Sequence, residues 1–250
     1  MELTAGTLAL LALAGFAGGA INAAVGAGTL LVYPVLLAAG IPPISANGTN
    51  TTGLSPGSFF AAWAYREELR DRLRILAAPL AATVGGAAIG AALVVLLPER
   101  VFTSVVPLLV CLATLLIALQ PVVTRWAREH PEPGQHVLWP WTGAVGTYGG
   151  YFGAAQGVMY LAVLGVLYDP SPQRSNGAKN LLAASANVTA AVVFALSGAV
   201  VWLAALAIAV GSIPGGYVGG RLARRLPPAA LRALAVAIGI GATLYLALNR

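Results

Sequence analysis

The residues with the most chemical potential lie in two polar, glycine-bearing runs. They are Ser45-Ala46-Asn47-Gly48-Thr49-Asn50-Thr51-Thr52 and Ser175-Asn176-Gly177-Ala178-Lys179-Asn180. Each follows a proline-containing break and precedes an apolar stretch, so each reads as the opening of a helix. Free backbone N–H groups, the positive end of the helix dipole and Asn, Ser or Thr donors would then converge on one spot, which favours an anion. Either run alone reads equally well as ordinary helix capping at a membrane surface; two runs at equivalent places favour a binding site. Lys179 is the only lysine beside thirteen arginines. An ammonium near a helix start needs an anion or an acceptor to compensate it, unless it snorkels to an interface. Asn22 and Gln156 adjoin glycine breaks and offer further donors, although isolated membrane amides also serve to join helices. Glycines at Gly26, Gly28, Gly153 and Gly157 would allow close backbone approach and hinge motion.

Other chemistries find little support. The acidic residues Glu2, Glu67, Glu68, Asp71, Glu99, Glu129, Glu132 and Asp169 all fall in expected loops or at helix ends, so no carboxylate is embedded to relay protons or bind cations. His130 and His136 sit in a polar linker and read as solvated, leaving no buried base or metal-ligand set. The single cysteine, Cys111, lies inside an apolar run, which excludes an intramolecular disulfide. No catalytic residue, metal or cofactor is expected, and the chain does not read as an enzyme.

The elements that must position these residues are membrane helices. Only 9% of the 250 residues are charged, and a mean hydropathy of +0.83 leaves too little polar surface to cover a soluble globule. Apolar runs at 3–25, 75–97, 101–119 and 231–248 each approach the ~20 residues needed to cross ~30 Å of hydrocarbon. Their lack of alternation argues for helices over a barrel. Thirty glycines and sixteen prolines suit membrane helices, where small residues permit close packing, as Gly85, Gly86, Gly90, Gly215, Gly216, Gly219 and Gly220 are expected to do. Trp63, Tyr65, Trp139, Trp141, Tyr168 and Trp202 near helix ends read as an interfacial aromatic belt. The net charge of +6 sits in short loops, which makes it a topology signal rather than a nucleic-acid footprint.

A shift of about 130 residues aligns Gly18-Gly19 with Gly149-Gly150, Gly28 with Gly157, Asn47-Gly48 with Asn176-Gly177, Gly85-Gly86 with Gly215-Gly216, and Leu97-Pro98 with Leu226-Pro227. The chain therefore reads as a first repeat over 1–119, a cytoplasmic linker over 120–136 and a second repeat over 137–250. The first repeat is expected to hold helices at 4–25, 29–39, 47–65, 75–97 and 101–119, and the second at 137–155, 157–168, 176–196, 200–223 and 229–248. The basic loop follows the third element in the first repeat (Arg66, Arg70, Arg72, Arg74) but the fourth in the second (Arg221, Arg224, Arg225). With the basic loops 66–74, 120–136 and 221–228 in the cytoplasm, both termini fall outside. The expected architecture is an all-α, multi-pass plasma-membrane protein of two inverted-topology repeats, about five helical elements each, with short or broken helices near the midplane.

The runs Gly18-Gly19, Val25-Gly26-Ala27-Gly28, Tyr33-Pro34-Val35-Leu36 and Ala46-Asn47-Gly48-Thr49-Asn50 resemble the first-half signature of the sulfite exporter TauE/SafE family. The run from Gly149 to Gly157, followed by Asn176-Gly177-Ala178-Lys179-Asn180, resembles its second half. Gly26-Ala27-Gly28-Thr29 departs from the usual glycine triplet, Ala154-Ala155-Gln156 interrupts the second-half glycines, and Pro34 has no partner in the second repeat. The resemblance implies a transporter of sulfite, organosulfonates or related small anions. The expected partners are thus a small anion and the lipid bilayer, with no nucleic acid; a homo-oligomer stays open. A secondary carrier by alternating access is the leading expectation, with an anion-selective channel or a non-transporting membrane scaffold as alternatives.

Overall fold

The computed structural model describes residues 3–130, 135–169, 171–222 and 228–248. Their regular structure is helical: α1 (Ala5–Val25), α2 (Gly28–Ala38), α3 (Pro43–Trp63), a single turn α4 (Arg66–Leu69), α5 (Leu73–Leu96), α6 (Glu99–Glu129), α7 (Leu138–Tyr151), α8 (Gln156–Leu167), α9 (Pro172–Leu196), α10 (Trp202–Leu222) and α11 (Pro228–Leu248). Five helices among the described residues, α1, α5, α6, α9 and α10, are long and apolar enough to cross a membrane, while α2 and α8 are apolar but short. Leu10, Leu13, Leu96, Leu108, Leu196 and Val210 are exposed on the outside, whereas Asn47, Asn50, Gln156, Lys179 and Asn180 are buried inside. A chain with its apolar side chains outward and its amides inward is an integral membrane protein.

The helix starts differ from expectation at the two polar runs. α3 and α9 begin at Pro43 and Pro172, four residues before the expected 47 and 176. Proline suits the first helical position, because its fixed φ is already helical and its missing N–H would have no partner there. Asn47–Asn50 and Asn176–Asn180 therefore lie in the second helical turn, and their backbone N–H groups are not the free donors of a helix opening. α6 also outruns its expected end at 119, continuing through Pro107 and Pro121 to Glu129. A proline removes one intrahelical bond, and Thr124 Oγ1 donating to Gln120 O, with Arg125 Nε 2.7 Å from Glu129 Oε1, accompanies the extension. Much of the expected linker is thus helix. Pro131, Glu132, Pro133, Arg224, Arg225 and the Leu226-Pro227 register feature lie outside the described residues, as does Glu2.

Helix partners follow a scheme that maps onto itself when the halves are exchanged. α1 packs on α10 and α7 on α5; α3 packs on α10 and α9 on α5; α2 meets α11 and α8 meets α6; α3–α9 and α6–α11 join like with like. Glycine sets the closest of these contacts. A Cβ on Gly90 would collide with Thr147 O, and one on Gly215 with Phe16 O. Gly85 is the exception among the glycines expected to pack, since a Cβ there would meet nothing within 4 Å.

Candidate functional site

α1 and α7 both stop at a backbone break. Gly26 closes α1 in the left-handed region at φ 80°, its N–H returning to Asn22 O and Ile21 O. The second break spans Phe152 to Ala155, with Gly153 at φ 75° and Ala155 at φ 60°. A non-glycine residue in that region costs roughly 1 kcal/mol and persists only where its surroundings hold it. The breaks meet: a Cβ on Gly26 would lie 2.5 Å from the Cα of Gly157, and one on Gly157 would lie 2.7 Å from the Cα of Gly26. The end of α1 and the start of α8 therefore cross backbone to backbone, at a separation only two glycines allow. Gly28 serves a different contact, standing against Gly18 O within its own half.

Each polar run reaches across to the broken helix of the other half. Asn47 Nδ2 on α3 donates to Tyr151 O, the last residue of α7, at 3.0 Å. Lys179 Nζ on α9 donates to Ala23 O in the last turn of α1 at 2.9 Å. Carbonyls of a helix's last turn have no intrahelical partner and carry the negative end of its dipole, so an amide or an ammonium is well placed there. This corrects the expected grouping of Lys179 with the start of its own helix. It also excludes snorkelling, since Lys179 is 1% exposed. The carbonyl occupies one of the ammonium's three donors. The lysine stem passes Gly157, where a Cβ would stand 3.3 Å from Lys179 Cδ, so the charge lies beside the start of α8.

A second set of side chains joins four helices. Gln156 Nε2 donates to Asn187 Oδ1 (3.0 Å), Asn187 Nδ2 to Ser58 Oγ (2.9 Å), and Asn22 Nδ2 to the same Ser58 Oγ (3.1 Å), while Ser58 Oγ donates to Leu54 O. Asn22 and Gln156 thus do join helices. Ser58 and Asn187 are absent from the sequence reading, yet the repeat register held the signal: it sets one on the other, both polar within otherwise small or apolar stretches.

The remaining expected residues divide between places. Asn50 Nδ2 donates to Thr29 Oγ1 at 3.2 Å, beside the first break. Thr49 Oγ1 accepts from Val201 N at 2.9 Å, and a Cβ on Gly48 would strike Ala199 O, so these two hold the loop before α10. Gly177 packs against Tyr65 and Leu69 around α4. Asn47 Oδ1, Asn50 Oδ1, Gln156 Oε1, Asn176 Oδ1 and Asn180 Nδ2 are buried without a protein hydrogen-bond partner, which leaves polar capacity unspent along both runs. Outside the spans, Asp169 lies 3.7 Å from Arg72 of the first half and 3.1 Å from Arg174 of the second, and its Oδ1 accepts from Ser171 N. Above all, burial raises the pKa of the neighbouring Tyr168 phenol, keeping that group neutral.

Comparison with known proteins gives consistent results. The sequence model of the sulfite exporter TauE/SafE family matches residues 11–246. The probable membrane transporter protein ORF9 of Sinorhizobium sp is 28% identical over 242 residues, covering 96% of this chain and 92% of the relative. The probable membrane transporter protein YfcA of Escherichia coli K12 is 30% identical over 210 residues, 84% of this chain and 77% of the relative. A probable membrane transporter protein of Haemophilus influenzae is 27% identical over 228 residues, with 89% and 87% coverage. No solved structure matches significantly. With the family model spanning nearly the whole chain, and the two helix breaks and paired polar runs falling inside the match, this protein belongs to the sulfite exporter TauE/SafE family.

Proposed function

We propose that the protein is a secondary carrier for small oxyanions, such as sulfite or organosulfonates, held between two inverted repeats in the plasma membrane. The observation that carries this reading is Lys179. It is a buried lysine whose Nζ reaches from one half to the end of the other half's broken helix, beside the start of α8. Removing an ammonium from water is costly, and one backbone carbonyl compensates it only in part. An anion at this crossing would complete the compensation, with the start of α8 and the unpartnered Asn180 Nδ2 as further donors. The amide nitrogens of Asn47, Asn50 and Gln156 already donate to Tyr151 O, Thr29 Oγ1 and Asn187 Oδ1, so these residues would hold the walls of the crossing in place. Asn22, Thr49, Gly48, Asn176 and Gly177 would act more remotely, through the helices and loops they hold in place. Family membership and the names of the relatives support transport, and the family's name supplies the sulfur oxyanion.

Alternating access suits a site assembled at contacts between halves. Rocking α1, α3 and α10, which pack together across the halves, against α5, α7 and α9, which do the same, would separate Lys179 from Ala23 and Asn47 from Tyr151, opening the crossing first to one side and then to the other. The testing experiment is flux into proteoliposomes across sulfite, sulfate, thiosulfate, short sulfonates and short carboxylates. Saturable uptake of at least one, accelerated by the same anion preloaded inside, is the expected outcome. Uptake without that counterflow would point to a channel, and no response to any anion would leave a scaffold.

A further inference from the structure

The strongest feature outside the candidate site is a groove on the outer surface where α3, α4, the start of α5 and α9 meet. It has a volume of about 370 Å³. Its walls are almost wholly apolar, with Phe59, Trp63 and Leu73 from the first half and Leu181 and Val188 from the second. Phe59, Trp63, Leu73 and Val188 are all exposed, so the groove opens outward, on the surface an integral membrane protein gives to lipid. Arg66 is the one cation among its lining residues. Its guanidinium lies 5.5 Å from the centre of the Trp63 ring, and its Nη1 donates to Trp63 O at 3.4 Å. Glu67 faces it at 3.6 Å but is 83% exposed, so that pairing is weak.

We infer that this groove is a binding site for an anionic phospholipid, one acyl chain lying between α3 and α9 and the phosphate meeting Arg66. The apolar wall suits hydrocarbon, and the half-exposed guanidinium, steadied by the Trp63 ring, is a matched partner for phosphate. Glu67, Glu68 and Asp71 alternate with Arg70, Arg72 and Arg74 in the same loop and Arg72 pairs with Asp169, so the charge that meets the headgroup is Arg66 itself. Phe59 and Val188 each follow directly on the inter-half pair Ser58 and Asn187. An acyl chain between them therefore braces the helix pair that joins the halves.

The test is thermal unfolding of the purified protein in a neutral detergent, titrated with phosphatidylglycerol or phosphatidylcholine of identical acyl chains. The expected result is stabilisation at lower concentrations of phosphatidylglycerol than of phosphatidylcholine. Arg66→Ala should weaken the apparent phosphatidylglycerol affinity about fivefold while leaving phosphatidylcholine unchanged. Val188→Trp, a substitution at an exposed wall position, should fill the groove and blunt both lipids. Arg221→Ala, at a cation lying 4.5 Å over Tyr217 outside the groove, should behave as wild type. Equal responses to the two lipids in the wild type would overturn the inference. So would a phosphatidylglycerol preference that survives Arg66→Ala or is lost equally in Arg221→Ala.

Discussion

Ser58 and Asn187 stand 129 residues apart in the chain and 2.9 Å apart in space. That separation matches the register near 130 read in the sequence, so two positions that the register aligns face each other and hydrogen-bond. Such a self-pairing position is what a two-fold relation between halves generates near its axis. The two side chains differ, and the difference matters in hydrogen-bond terms: one hydroxyl oxygen accepts from both Asn187 and Asn22 while its proton goes to Leu54 O.

Ser58→Ala would leave two amide donors without their acceptor, at a cost of about 1–3 kcal/mol. Because Asn187→Ala removes one of the same bonds, the double variant should cost less than the sum of the two single ones. Unfolding midpoints of the four proteins in one detergent give the coupling energy. A coupling below ~0.5 kcal/mol would show the pair to be independent.

Much of this architecture was legible in the sequence because membrane helices announce themselves by apolar length, and duplicated breaks by shared glycine. The placement of Gly26, Gly28 and Gly157 is of this kind. What could not be read was which end of which helix each polar residue meets. Local spacing groups Lys179 with the start of its own helix, yet it meets Ala23 O, because Pro172 begins α9 a turn earlier and the lysine points across the halves. A pairing between halves depends on their three-dimensional registration, which no local spacing encodes. Asn187 differs: the register near 130 aligns it with Ser58, but that the two aligned positions touch is a property of the fold.

Lys179→Met keeps most of the apolar stem and removes the charge. If the ammonium binds the anion, flux in proteoliposomes should fall about 10- to 100-fold, the equivalent of one charge-assisted hydrogen bond. The thermal midpoint should hold or rise, since an apolar group replaces a buried charge. Normal flux in a folded Lys179→Met protein would remove Lys179 from the site.

The Gly26–Gly157 crossing predicts unequal effects for one added methyl group. Gly157→Ala forces a Cβ to 2.7 Å from the Cα of Gly26, and overpacking against backbone costs about 1–3 kcal/mol. Gly85→Ala meets open space in mid-helix, where alanine gains roughly 0.5–1 kcal/mol over glycine. Opposite shifts in thermal midpoint are expected, together with slowed flux in Gly157→Ala alone. Equal midpoints would mean that the two breaks are not in contact.

Asp169 ties the halves together at one end, through Arg72 and Arg174. Asp169→Asn keeps an oxygen for Ser171 N but loses both ion pairs. The arginines are 30% and 47% exposed, so screening reduces the expected loss to about 1 kcal/mol. High salt should destabilise the wild type more than Asp169→Asn, because the variant has less left to screen. The same salt response in both proteins would show that the pairs contribute nothing.

The proposed inverted arrangement makes a prediction about sidedness that the sole cysteine makes easy to test. Cys111 is exposed, and Cys111→Ser leaves a background without thiols. In that background Asp71→Cys, between α4 and α5, and Ser197→Cys, between α9 and α10, mark exposed loops that follow equivalent third elements of the two halves. If the halves run in opposite directions, these loops lie on opposite faces. The basic loop at Asp71 then falls on the cytoplasmic side. A membrane-impermeant maleimide should label Ser197→Cys in intact cells and Asp71→Cys only after permeabilisation. Labelling of both from the same side would mean that the halves are parallel. Rocking about the Ser58–Asn187 contact could not then exchange an inward-open state for its outward-open counterpart, and alternating access would need another explanation.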